Sequence, residues 1–200
     1  MSTADGVNLG RRRFLTATAT AVGGVGAAFV AVPFLKSWTP SERAKAAGAP
    51  VEADISKLAE GQIMTVEWRG KPVWIVRRTE EQVAALPKLD DQLADPFSKR
   101  NPSELTPEYA RNVPRSIKPE VFVCVGICSH LGCSPTDKFT PGPQPSLPDD
   151  WKGGFLCPCH GSTFDMAGRV FKNKPAPDNL EVPRHMYLSD TLLLIGEDKA

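Results

Sequence analysis

Two short segments restrict the fold of this chain more than anything else in it: Cys128-Ser129-His130-Leu131-Gly132-Cys133 and Cys157-Pro158-Cys159-His160-Gly161-Ser162. Each places a cysteine and a histidine two or three positions apart and contains a further cysteine. A site that uses both must bring together stretches separated by residues 134–156. Val121–Val125 reads as a strand leading straight into the first segment, and Gly153–Leu156 as a strand leading into the second.

The four candidate donors are Cys128, His130, Cys157 and His160. Zn²⁺ takes a Cys₂His₂ set readily, so a structural zinc site is one reading. Zinc ligands, however, usually pair Cys with Cys and His with His at regular short spacing. Here each segment mixes one of each, and Cys133 and Cys159 are left over. A 2Fe–2S cluster accounts for the mixture, with Cys128 and Cys157 as thiolates on one iron and His130 and His160 on the other. Neutral imidazoles in place of thiolate anions make the histidine-bound iron easier to reduce, a general property of centres of this class.

The pair C-x-H-L-G-C and C-P-C-H-G-S resembles the two-loop signature of Rieske iron–sulfur proteins. Because both extra cysteines are present, it is similar to the quinol-oxidising branch, the iron–sulfur subunits of bacterial cytochrome bc complexes. That resemblance implies a Cys133–Cys159 disulfide between cluster loops 127–135 and 155–164, plausible in an oxidising compartment. It makes Pro175-Ala176-Pro177 the core of a Pro loop (174–178) over the cluster's third side. Ser162 would bond a bridging sulfide through its hydroxyl and raise the potential. Phe164 stands where high-potential members often carry a tyrosine, so a lower potential is expected. Leu131 would sit at an exposed loop tip that docks on cytochrome b.

The resemblance also implies a function. Quinol, ubiquinol above all, would bind in cytochrome b and hydrogen-bond the exposed imidazole of His160. One electron and one proton would be accepted there, and the electron would pass to a c-type cytochrome. The chain would be a subunit of a dimeric quinol:cytochrome c oxidoreductase, not catalytic alone. The small Rieske subunit of another exported enzyme, such as arsenite oxidase, is the alternative.

The N-terminus fits such a tethered carrier. Phe14 to Leu35 has no charged residue. As a helix that run would be roughly 33 Å long, enough to cross a bilayer's hydrocarbon layer. Arg11-Arg12-Arg13-Phe14-Leu15 resembles a twin-arginine export motif, with Gly10 and Thr16 departing from the usual neighbours. Ala44-Lys45-Ala46 offers a cleavage-like site, but it lies too far from the apolar run, and the run is too long for an ordinary signal peptide. The expectation is an uncleaved anchor: residues 1–13 in the cytoplasm, 14–35 across the bacterial inner membrane, 36–50 as hinge, and 51–200 as a periplasmic Rieske domain. With 24 basic and 23 acidic side chains, no charge field points to nucleic acid.

The rest reads as short strands and rigid loops, in keeping with 19 prolines. Met64, Val66 and Trp68 alternate with Ile63, Thr65 and Glu67 as a half-buried strand; Arg69-Gly70 turns the chain, and Val73–Val76 returns it. Thr79 with Gln82 forms a capping box for a short helix that stops before Pro87. Residues 88–119 read mostly as loop. Phe164–Val170 looks like a hairpin with Gly168 in the left-handed region, and Met186–Leu188 with Leu192–Ile195 like a closing hairpin. Five cysteines leave at least one unpaired; Cys124, in an apolar strand, is expected as a buried core thiol. His185 is expected at the surface. The fold class that results is all-β: a small antiparallel domain with a loop-rich cluster-binding part, tethered by one N-terminal transmembrane helix.

Overall fold

The computed structural model of the protein describes residues 8–100 and 105–198. Residues 1–7 of the expected cytoplasmic segment and 101–104 of the expected loop lie outside them. The chain divides into two units, one up to Ala46 and one from Ala47 onward.

The first unit is helical. α1 (Leu9–Ser37) begins earlier than the apolar run because the Asn8 side chain accepts from the Arg11 backbone N–H at 3.0 Å, so the arginines lie within its first turns. It is long and apolar enough to cross a membrane. Thr16 and Thr18 donate their hydroxyls to the carbonyls of Arg12 and Phe14, which satisfies them without an outside partner. Pro33 is tolerated in the last turns, and Trp38 at the C-cap is exposed, suited to a membrane interface. A short helix, α2 (Glu42–Ala47), follows.

The second unit is built from three small antiparallel sheets. β1 (Val51–Asp54) begins the unit and pairs with the last strand. β2 (Ile63–Trp68) and β3 (Lys71–Arg77) form the expected hairpin. Arg69 and Gly70 have φ of 52° and 70°, the two left-handed positions that match a two-residue turn to strand twist. β4 (Val121–Val125) adds antiparallel to β3. β5 (Thr136–Lys138), β6 (Gly154–Leu156) and β7 (Thr163–Asp165) make a second sheet, and β8 (His185–Tyr187) and β9 (Leu192–Ile195) close a third with β1.

Strand β4 explains why its sequence is apolar at every position. Val121, Val123 and Val125 pack with Ile75, Leu193 and Ile195 in one core. Phe122 and Cys124 face the other way, into a core with Trp74, Phe155, Phe164 and Met166. A strand buried on both faces loses the polar alternation of a half-buried one. Cys124 is the expected buried thiol, pushed up to about 12 by burial and so held protonated.

The capping box on Thr79 forms as read, with α3 (Glu80–Ala85) passing at Leu86 into a 3-10 segment that carries Pro87 in its first turn. The stretch after it is irregular, as expected, yet not a solvated loop. Arg115 is fully buried and donates to the carbonyls of Ala167, Gly168 and Leu180 and to the Thr106 hydroxyl. Arg78, equally buried, donates to the carbonyls of Pro114, Met166 and Pro119 and to Ser116. Arg169 pairs with Asp165 at 2.8 Å, both 0% exposed, and with Asp90 at 2.8 Å. These guanidiniums collect carbonyls that the 88–119 stretch and the Phe164–Val170 hairpin have no ladder to satisfy.

One expectation is overturned. His185 is not at the surface but 2% exposed. Tyr109, distant in sequence, donates its hydroxyl to the His185 carbonyl, accepts the His185 backbone N–H, and meets the ring edge-on. Burial lowers the imidazole's pKa.

Candidate metal centre

The two segments of the sequence signature form hoops of the same construction. In the first, the Cys128 N–H donates to the Cys133 carbonyl at 2.8 Å and the Gly132 N–H to the Cys128 carbonyl at 3.1 Å. In the second, the Cys157 N–H donates to the Ser162 carbonyl at 2.7 Å and the Gly161 N–H to the Cys157 carbonyl at 3.0 Å. Both hoops turn on a glycine at the fifth position, Gly132 at φ 80° and Gly161 at φ 75°. Nothing crowds either glycine, so the left-handed backbone alone selects it.

The hoops are fastened by the Cys133–Cys159 disulfide, with a Cα–Cα distance of 6.6 Å. Cys128 and Cys157 are free and each 2% exposed. The sulfurs of Cys133, Cys157 and Cys159 lie within 4.8 Å of one another, but two of them are consumed by the disulfide. Burial is the main cause that raises the Cys128 thiol, and the neighbouring Cys157 raises it further; a bound metal would remove that proton.

The His130 and His160 rings approach to 4.7 Å between centroids at 90°. Nδ1 of His130 is buried and has no hydrogen-bond partner among the described residues. A buried ring nitrogen left so is costly, unless it is a ligand atom. The donor set is thus two protected thiols and two imidazoles, one with an orphaned nitrogen, on stapled loops. That set fits a 2Fe–2S cluster of mixed ligation better than four-donor zinc, for which it also has the right count. His160 is exposed, and Leu131 beside His130 is 70% exposed.

The Pro loop lies where the sequence suggested, but the buried residue in it is Ala176; Pro175 and Pro177 are exposed. The Ala176 N–H donates to Ser162 Oγ at 3.0 Å. Ser162 has therefore accepted once already, and its own proton is given toward the Cys128 sulfur. Ser129 was not singled out in the sequence. Its hydroxyl donates to the Asp178 carbonyl at 2.6 Å and accepts the Asp178 N–H at 3.3 Å, binding the first hoop to the Pro loop. Its position between Cys128 and His130 was the only available signal. Phe164 is fully buried, paired with Phe155 across β6 and β7 and bridged to Val170.

Comparison with known proteins gives the family. Residues 103–184 match the family described as the Rieske [2Fe-2S] domain, and residues 1–41 match the ubiquinol–cytochrome c reductase Fe-S subunit TAT signal. The ubiquinol–cytochrome c reductase iron-sulfur subunit of Allochromatium vinosum is 59% identical over 98% of this chain and 93% of its own. That of Blastochloris viridis is 41% identical over 98% of each chain, and that of Rhodospirillum rubrum 40% over 93% and 91%.

Proposed function

Since this chain belongs to the family of ubiquinol–cytochrome c reductase iron–sulfur subunits, we propose that it carries single electrons from quinol at cytochrome b to a c-type cytochrome. The observation that carries this reading is the contrast within the site. Both candidate thiol ligands are buried while His160 and Leu131 stand exposed on the same stapled loops. A relay needs a protected redox centre with one ligand edge open to its donor.

Cys128 and Cys157 would hold one iron and His130 and His160 the other. When bound, the cluster supplies a one-electron acceptor whose potential is raised by its two neutral ligands. The chain's own residues do the rest. The exposed ring nitrogen of His160 accepts a hydrogen bond from the quinol hydroxyl and then the proton, while Leu131 packs against the apolar rim of the quinol site. Ser162, its acceptor side taken by Ala176, has its hydroxyl proton left for the sulfur side of the site, where it would favour the reduced state of a bound cluster. Cys128, Cys157 and Ser162 exclude water on the opposite side, because all three are buried.

The chain is a membrane-anchored bacterial protein with an export signal of the twin-arginine kind. We place the globular unit in the periplasm, where the disulfide is stable and twin-arginine transport delivers folded proteins. Residues 36–50 are read as the hinge on which that unit moves between partners, within a dimeric complex.

Low-temperature EPR of membranes during a redox titration, with and without an inhibitor of the quinol-oxidising site, tests the reading. A Rieske-type signal whose shape changes with the inhibitor is expected. A signal indifferent to it would move the chain to another exported oxidase, and zinc in place of iron would refute electron transfer.

A further inference from the structure

The Pro loop is held at three consecutive residues by three different parts of the chain. Ala176 is bonded to Ser162 of the second hoop, and Asp178 to Ser129 of the first. Between them, the Pro177 carbonyl accepts from Arg100 Nη1 at 2.7 Å. Arg100 belongs to neither hoop but lies in the irregular stretch that follows α3.

Its position is closely determined. The buried Asp95 carboxylate accepts the backbone N–H groups of Lys99 and Arg100, both at 2.9 Å. Ser98, between them, is buried with φ of 51°, a conformation that a serine holds only where its surroundings require it. Asn179 supplies part of that requirement: it donates to the Asp95 carbonyl at 2.9 Å and to Ser98 Oγ at 3.3 Å, and accepts the Val170 N–H at 2.9 Å. The turn 95–100 is therefore built on the same residue that follows the Pro loop, and it aims Arg100 back at the loop's middle carbonyl.

We propose that Arg100 is a positioning residue for the metal centre, clasping the Pro loop so that Ala176 keeps its bond to Ser162 and Ser162 keeps its proton directed inward. The proposal rests on the cluster assignment above. Without the clasp the loop is held only through Ala176 and Asp178, those bonds open more often, and solvent reaches the centre more often. The bond is exposed, so its loss is worth at most about 1.4 kcal/mol, corresponding to an open fraction up to roughly ten-fold larger.

The experiment compares Arg100→Gln with Lys99→Gln in the full-length, membrane-bound protein. Lys99 is the adjacent cation, but its ammonium lies over the Phe97 ring and not on the loop, so its removal controls for charge alone. The readouts are the midpoint of the EPR signal and the rate of iron release to a chelator. Arg100→Gln is expected to lower the midpoint and speed iron release up to roughly ten-fold, with Lys99→Gln close to the unaltered protein. Arg100→Gln indistinguishable from the unaltered protein, or matched by Lys99→Gln, overturns the clasp. Absence of the signal from the unaltered protein would instead overturn the cluster assignment itself.

Discussion

In β3 the run Val73-Trp74-Ile75-Val76 is wholly apolar and buried, and β2 to β4 pair over up to six residues at a time. In the sheet β5–β6–β7 no strand exceeds three residues, and the large buried side chains around its hairpin include Arg78, Arg115 and Arg169. The first region is held by apolar burial, worth about 1.5–3 kcal/mol for each fully buried Val or Ile. The second, which carries the ligand loops, has too little ladder for its backbone groups. It satisfies them with guanidinium forks and hydroxyls, and it is stapled by a disulfide. Loops that close into tight hoops around candidate ligands cannot also be regular strands, so their order comes from polar contacts that are rigid only when complete.

The sharpest way to break this comparison is Arg169→Ala. It leaves the fully buried Asp165 carboxylate without its counter-ion, held only by the backbone N–H groups of residues 167 and 169, and frees the Leu86 and Pro96 carbonyls, so a loss of about 3–5 kcal/mol is expected by denaturant titration. Hydrogen exchange should show β6 and β7 losing protection before β3 and β4; equal loss in both sheets would contradict the division. Cys133→Ser comes next. With a separation of 26 residues, the disulfide contributes about 3–4 kcal/mol by chain entropy. The thermal midpoint should fall and iron release quicken, while the β2–β3–β4 amides stay protected.

Phe164→Tyr probes the site without dismantling it. A phenol donating toward a ligand sulfur should raise the midpoint by tens of millivolts, less than about 1.4 kcal/mol for one electron. A midpoint that fails to rise would show that the ring at 164 does not face the ligands. The smallest effect belongs to the other end of the unit. His185 is buried and its folded pKa is lowered, whereas its unfolded value is about 6.5. Between the two, the unfolded chain binds more protons, so stability falls as pH drops below about 6.5. His185→Gln should flatten that limb by at most about 1.4 kcal/mol per pH unit, read as thermal midpoints at about pH 5 and about pH 7.5.

How much of this was legible follows the same division. The β2–β3 turn, β4, the closing hairpin and the capping box on Thr79 were readable because period, turn chemistry and caps are local signals. Both loops were readable because metal-binding chemistry restricts their residue types, and the disulfide because the loop pair resembles a family that carries one. His185 was misread because what buries it is Tyr109, far away in the chain. Residues 88–119 looked like loop because Arg115 is held by carbonyls of distant segments and the turn on Asp95 is fastened by Asn179, contacts that leave no periodicity. Ser129 and Arg100 were invisible for the same reason: a hydroxyl or guanidinium bonded to a backbone atom shows nothing at its partner's position in the sequence.

The matched closure of the two hoops has a consequence for rate. Each hoop is locked by its own pair of backbone hydrogen bonds, the two are tied covalently, and a third loop is fastened across them. A charge that arrives in such a cage finds dipoles already set and little freedom to turn. A centre held this way keeps its reorganisation energy small, so in the proposed relay the electronic step is not what slows turnover.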